Sequence, residues 1–370
     1  MTATRTGVTY PIRVHATNIS GLGATQLVQS LLPAIEKMDD YDIRIIYLPA
    51  CGPLSTYLPH GNSTRTVRRQ RRLPNAISRA LECTFFASRF EGEGSLLVLG
   101  DIPLRCKGRQ VVFVQTPLLT SSAAGTGRLG AIKFRIARWL FALNAKYASA
   151  FIVQSEAMKQ ALLETYPQVA GRIHVILQPP PRWLVDSALK RTGPASQTAS
   201  GLNLFYPAAF YPHKNHRLLG RIGVAAGTRL PVSSLTLTIE PDLHPNSAQR
   251  WIQCVGRLGP DDVLRVYQST DGLLFLSRSE SLGFPLVEAM WIGLPIVCPD
   301  LPYARVLCGD EAIYFDPTDP ESLYAAVTTL KNKLEARWWP DWSSQVKAIP
   351  RSWDVVAASM LQVTAGNDPA

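Results

Sequence analysis

Leu273 to Pro295 reads LLFLSRSESLGFPLVEAMWIGLP, and the organisation of the chain follows from it. Leu273–Leu276 is a short unbroken apolar run of the kind that forms a strand buried on both faces. Pro285 predicts a helix start, because the N–H that proline lacks would be unpaired at the first helical position. Leu286, Val287 and Met290 give that helix a buried side. The intervening loop carries Glu280, Gly283 and Phe284. A start near Pro285 places Glu288 in the first turn, at the positive end of the helix dipole, where an anion gains about 0.3–1 kcal/mol.

A strand, a glycine loop and a helix N-terminus together favour an anionic ligand. Unpaired N–H groups of a first turn point at the loop mouth and suit phosphate oxygens. Glu280 and Glu288 flank those donors with seven residues between them. Carboxylates repel phosphate but accept hydrogen bonds from hydroxyls, each charge-assisted bond contributing roughly 1.5–3 kcal/mol. A diphosphate between two hydroxyl-rich groups, as in a nucleotide sugar, satisfies both demands. The bland alternative is a strand–loop–helix unit with solvated acids.

Ser279-Glu-Ser-Leu-Gly-Phe-Pro-Leu-Val-Glu-Ala-Met290 resembles the signature of the retaining glycosyltransferases of family four. The resemblance implies an α/β chain of GT-B architecture, two Rossmann-like domains facing each other across a cleft. It implies that Glu280 contacts the donor sugar and Glu288 the ribose hydroxyls. The amides of Gly283 and Phe284 would lie against sugar and diphosphate, with Pro285 and Leu286 completing the donor-binding stretch. Further back, Pro207-Ala-Ala-Phe-Tyr-Pro-His-Lys-Asn-His216 is similar to the family's second donor motif, in which Lys214 contacts the diphosphate. Many relatives carry an arginine where Ala208 and Ala209 stand, so phosphate neutralisation would fall on Lys214, the helix N-terminus, and His213 or Arg278. Leu301–Asp319 also resembles the family, and Gly256, with Arg257, stands at a turn that relatives use near the nucleobase.

At 370 residues, 46% apolar and 18% charged, the chain has the length for two domains and ordinary globular chemistry. Residues 1–190 are expected to form a Rossmann-like acceptor-side domain, and 191–201, of linker composition, the boundary. Residues 202–345 form the donor domain, and 346–370 a tail helix crossing back to the first. No apolar signal core opens the chain and no eighteen-residue apolar run occurs, so a cytoplasmic protein is expected. Six scattered cysteines without zinc-ligand spacing fit reduced thiols. Charge is uneven: residues 1–197 carry 24 Lys+Arg against 11 Asp+Glu, and the remainder 14 against 17. The partner of the first half is therefore expected to be anionic.

In that half, Ile12–Ala16 reads as a strand running into a turn with Gly21 and Gly23. The third glycine of a dinucleotide fingerprint is missing; in the resembled family this loop approaches the donor diphosphate and the acceptor. Arg65, Arg68, Arg69, Arg71 and Arg72 fall within eight positions. They are either a solvated face or a peripheral attachment to an anionic leaflet, worth about 1 kcal/mol per basic residue. No aromatic platform accompanies them, and nucleic acid is not expected as a partner. Gln115 and Thr116 end a buried strand, where open α/β sheets bind ligands, and are acceptor-side candidates. From Arg128 to Lys146, Leu129, Ile132, Ile136, Trp139, Leu140 and Leu143 form one helical stripe. Phe134, Arg138 and Phe141 project from the other side, either as candidate membrane contacts or as the second face of a helix packed on both sides inside the domain.

The expected reaction is retaining, metal-independent transfer of a hexose, for example mannose, from a GDP- or UDP-sugar to a saccharide or lipid-linked acceptor. No cofactor and no metal site are expected. The setting implied is bacterial surface-polysaccharide assembly. The rivals are a catalytically silent nucleotide-sugar-binding subunit and a GT-B nucleotide-sugar epimerase.

Overall fold

The computed structural model describes residues 10–367 except 20, 61–63, 72, 74, 121–127, 196–200 and 223–229. The described residues form two compact units, one within 10–120, 128–178 and 350–367, the other within 179–349.

The first unit is built on a parallel sheet of seven strands among the described residues, β1 (Tyr10–His15), β2 (Tyr41–Pro49), β3 (Arg65–Arg69), β4 (Ser95–Val98), β5 (Gln110–Phe113), β6 (Ala150–Val153) and β7 (Ile173–Val175), ordered 3-2-1-4-5-6-7. The strands β4 to β6 read SLLV, QVVF and AFIV, apolar runs suited to a sheet covered on both faces. Helices α1 (Leu22–Glu36), α2 (Asn75–Cys83), α3 (Arg128–Asn144) and α4 (Glu156–Thr165) intervene, and Ser155 caps α4 by accepting from Met158 N–H at 3.2 Å. The strand order reverses between β1 and β4, which makes their carboxyl ends a topological switch point.

The second unit has a parallel sheet of β8 (Leu202–Tyr206), β9 (Val232–Leu237), β10 (Ile252–Cys254), β11 (Gly272–Leu274), β12 (Ile296–Pro299) and β13 (Ile313–Phe315), ordered 10-9-8-11-12-13. Its helices are α5 (Arg182–Asp186), α6 (Pro260–Ser269), α7 (Phe284–Ile292), α8 (Pro302–Cys308), α9 (Pro320–Glu335) and α10 (Ser343–Ala348). The last helix, α11 (Trp353–Ala365), belongs to the first unit, where it packs on α1 and β4.

Four sequence expectations are corrected. The boundary lies at Gln178/Pro179 rather than in 191–201, and the returning tail starts at Pro350 rather than 346. The start of the supposed linker is fastened to the second unit: the Arg191 guanidinium donates to Tyr267 O at 2.6 Å and Thr270 O at 2.8 Å, and Ala195 N–H to the Asp271 carboxylate at 2.9 Å. The arginine run is an edge strand, β3, followed by a loop. A charged edge resists pairing with another chain, and its arginines are partly consumed: Arg68 donates to Ser55 O at 2.7 Å and Tyr57 O at 3.1 Å, and Arg69 lies 5.8 Å from the Phe90 ring centre. Arg71 donates to Thr17 O at 2.9 Å, Arg65 is exposed, and Arg72 lies outside the described residues.

The third helix is turned the other way from the sequence expectation. Phe141 is 0% exposed and sits against Phe151 and Tyr166, with ring centres 5.4 and 4.5 Å away. Phe134 and Arg138 are half-buried on the same side, so this trio is not a membrane face. Of the stripe expected to be inside, Leu140 is buried, but Ile132, Ile136, Trp139 and Leu143 are 50, 49, 60 and 39% exposed. Six apolar positions at helical spacing fit either face, and the large ring at 141 fills the core.

Candidate functional site

In the second unit the polar groups gather where β8 and β11 end. After β8 the chain passes through Pro207–Tyr211 into a single 3-10 turn, Pro212–Lys214, closed by Asn215 in the left-handed region at φ 57°. The Tyr206 hydroxyl donates to Lys214 O at 2.8 Å, and Asn215 donates to Pro317 O at 3.0 Å, fixing the turn from both sides. After β11, Arg278 N–H donates to His213 O at 2.7 Å, and the Tyr303 hydroxyl donates to Ser277 O. The two loops are thereby held together.

This brings Lys214 to Glu280. Their side chains form an ion pair, 16% and 13% exposed, and the Lys214 ammonium lies 5.9 Å from the Phe275 ring centre. His213 stacks on Tyr211 with centres 5.7 Å apart and planes 5° from parallel. Burial, and then the charge of Lys214, push its imidazole below the usual range, which favours the neutral form.

Gly283 caps α7 with φ 85°, a conformation that L side chains rarely adopt. Its carbonyl accepts from Leu286 N–H at 2.9 Å and Val287 N–H at 3.3 Å. The N–H groups of Gly283 and Phe284 have no partner among the described residues, and Pro285 brings none. Two amides thus stand three and four positions after Glu280.

Glu288 departs from expectation. Because α7 begins at Phe284, this glutamate is the fifth helical residue and lies in the second turn, 6% exposed. Its Oε2 accepts from the buried Tyr267 hydroxyl of α6 at 2.7 Å. Burial raises the carboxyl to about 7, and the tyrosine bond offsets only part of that. Leu286 is buried beneath the loop. Gly256 has φ 71° and donates to Ile239 O at 2.9 Å; a side chain there would meet the Glu240 carboxylate at 3.4 Å.

Residues 232–333 of this unit match the family described as glycosyl transferases group 1. The likeness to that family is carried by this stretch, a little over a quarter of the chain. O-antigen chain mannosyltransferase B of Escherichia coli is 29% identical over 77 residues, 21% of this chain and 20% of that protein. The serotype-specific mannosyltransferase WbdA of the same organism is 23% identical over 129 residues, 32% of this chain and 16% of that protein. The chain thus spans a fifth or less of the curated relatives it matches. The fold is GT-B: sucrose-phosphate synthase of Thermosynechococcus elongatus superposes with TM-score 0.67 at 15% identity, covering 96% of this chain and 98% of that one.

In the first unit, Gly21 and Gly23 border open space, and a side chain at either would meet nothing within 4 Å. Neither is forced to be glycine by its neighbours. Gln115 and Thr116 are held by a residue the sequence reading missed. Asp101, at φ 65°, accepts from their N–H groups at 2.7 and 3.0 Å and pairs with Arg79 at 3.3 Å.

A second missed group lies at the end of β1. Buried His15 is 3.1 Å from Glu82 and 3.0 Å from Thr17, and Arg71 is 3.8 Å from Glu82. Burial opposes ionisation of Glu82, but His15, Thr17 and Arg71 together hold its carboxyl below the usual value. Nothing in the spacing of these residues announces the cluster; it is assembled by β1, α2 and the loop after β3. Among the described residues, no three His, Cys, Asp or Glu side chains are placed to share an ion.

Proposed function

We propose that this chain is a glycosyltransferase that moves a hexose, with retention, from a GDP- or UDP-sugar to a hydroxyl of a saccharide or lipid-linked acceptor. One observation carries it: Lys214 and Glu280 pair with each other in the same unit as the unpaired amides of Gly283 and Phe284. A donor replaces that pairing with better partners for both. Its diphosphate takes the ammonium and the amides, and a sugar hydroxyl takes the carboxylate. Charge developing on the leaving diphosphate then meets donors already oriented, a contribution worth roughly 3–4 kcal/mol per donor in comparable sites. Glu280 holds the sugar so that its anomeric carbon faces the incoming hydroxyl. The reaction proceeds on these groups without a cofactor.

The mannosyltransferase names of the sequence relatives and the complex of Anabaena HepE with UDP-glucose, matched at TM-score 0.61 and 14% identity over 96% of this chain and 99% of that one, support a nucleotide-sugar donor and a polysaccharide setting. Buried Ala208, standing where many relatives carry a phosphate-binding arginine, favours a second reading as a subunit that binds the nucleotide sugar without turnover. Incubation with labelled GDP- and UDP-hexoses plus lipid-linked acceptor decides between them. Transfer by the wild type, lost in Glu280→Ala, supports the first; binding without transfer sinks it.

A further inference from the structure

The outward stripe of α3 has no role in the donor chemistry. Ile132, Ile136, Trp139 and Leu143 are large, apolar and exposed, and at about 100° per residue they lie within roughly 60° of one another. Exposed Lys133 and Arg135 flank the stripe on its two sides. The helix sequence, RLGAIKFRIARWLFALN, holds four basic residues and no acidic one. Just past its end, Lys146 and Tyr147 are also exposed. Packed against α3, α2 shows exposed Ile77, and the turn after it exposed Phe85 and Phe86, with the Arg89 guanidinium 4.4 Å from the Phe86 ring centre.

From this arrangement we infer that α3 docks flat on an anionic lipid bilayer. An apolar stripe bordered by cations, with tryptophan in its middle, matches an interface in which hydrocarbon lies beneath a layer of negative headgroups. The long stems of Lys133 and Arg135 lie along the apolar stripe while their charges reach the headgroups. The absence of any acid on α3 selects an anionic occupant, and the narrow stripe selects a planar one. The inner face of α3, with Phe141, remains committed to the core and holds the stripe rigid. No helix among the described residues is long and apolar enough to cross a membrane, so the contact is a peripheral one.

The test uses the whole chain and needs neither donor nor acceptor, so its failure is separable from failure of the proposed transfer. Wild type, Ile132→Ser/Trp139→Ser and Lys133→Gln/Arg135→Gln are sedimented with vesicles of phosphatidylcholine alone or mixed with phosphatidylglycerol. Wild type is expected to bind the mixed vesicles at least tenfold more strongly than the neutral ones. Both variants should lose at least tenfold on mixed vesicles with unchanged circular dichroism, and Trp139→Phe should remove a vesicle-induced blue shift in fluorescence. Equal sedimentation of wild type and the apolar variant overturns the inference. So does self-association of the wild type, abolished in that variant, without vesicle binding.

Discussion

The Tyr267 hydroxyl donates a 2.7 Å hydrogen bond to Oε2 of Glu288, and both side chains are buried. An acid read from sequence as an acceptor for ribose hydroxyls is thus held from behind by a neighbouring helix. Its Oε2 is occupied by α6, leaving Oε1 as the atom not engaged by Tyr267.

Glu288 makes stability depend on pH. Its folded value of about 7 lies above the ordinary 4.5, so the folded state holds the proton more tightly than the unfolded chain. Stability from this group is fully present below about 4.5, falls as pH rises toward 7, and is level above that. Glu288→Gln does not titrate. Each pH unit separating the folded from the unfolded value corresponds to about 1.4 kcal/mol, so the advantage of this variant over wild type should grow by a few kcal/mol across that window. Urea unfolding at pH 5 and pH 8 measures it; equal differences at the two values would falsify the assignment.

Tyr267→Phe removes the one side-chain donor, among the described residues, that holds the ionised form of Glu288. A hydrogen bond to a charged group contributes about 1.5–3 kcal/mol, so the carboxyl should titrate roughly one to two pH units higher still. If Glu288 accepts from the donor ribose, the pH midpoint of donor affinity should move upward with it. Calorimetric titration of GDP and UDP from pH 6 to 9 reads this change. An unmoved midpoint would leave Tyr267 a packing residue only.

Lys214→Met should lower kcat for transfer by about 10²–10³-fold, the usual loss for one oriented donor at a developing charge. Glu280→Gln keeps the shape and an acceptor for Lys214, so it should weaken turnover more than donor binding. Steady-state kinetics with calorimetric Kd values separate the two effects.

Gly283→Ala should destabilise by about 1–3 kcal/mol, since φ 85° is strained for alanine and the new methyl meets Leu286 Cδ1 at 3.2 Å. Donor affinity should fall with it, because the two unpaired amides are aimed by this residue. A variant that melts like wild type and binds like it would show that the loop relaxes freely.

On α3 the two faces should answer differently to truncation. Phe141→Ala leaves a void between Phe151 and Tyr166 and should cost about 3–5 kcal/mol. Trp139→Ser, on the outer face, should stay within about 0.5 kcal/mol. Denaturant melts of both variants check the orientation of the helix.

The strand–loop–helix around Glu280 was readable because its signals are local: an apolar run, a glycine and a proline at the helix start. Parallel strands such as VVF and FIV declare themselves by composition in the same way. Other features are not local. Which face of α3 turns inward depends on Phe151 and Tyr166, which no helical projection contains. The burial of Glu288 depends on Tyr267, 21 positions away. Asp101 and Glu82 act through backbone turns and partners on separate elements, and neither carries a motif. The edge strand β3 was hidden because arginines mask its one apolar residue, Val67, which packs on the core.

The last helix has a bearing on how the polypeptide is made. Val356, Ala357, Met360 and Leu361 are fully buried in the first unit, and Arg109 donates to Val363 O and Thr364 O, each at 2.9 Å. On the ribosome, the early-emerging half must therefore wait, with a helix-sized apolar slot unfilled, until the whole second unit has been translated. The molecule is topologically one domain inserted into another, and its assembly finishes only with the residues synthesised after the insert.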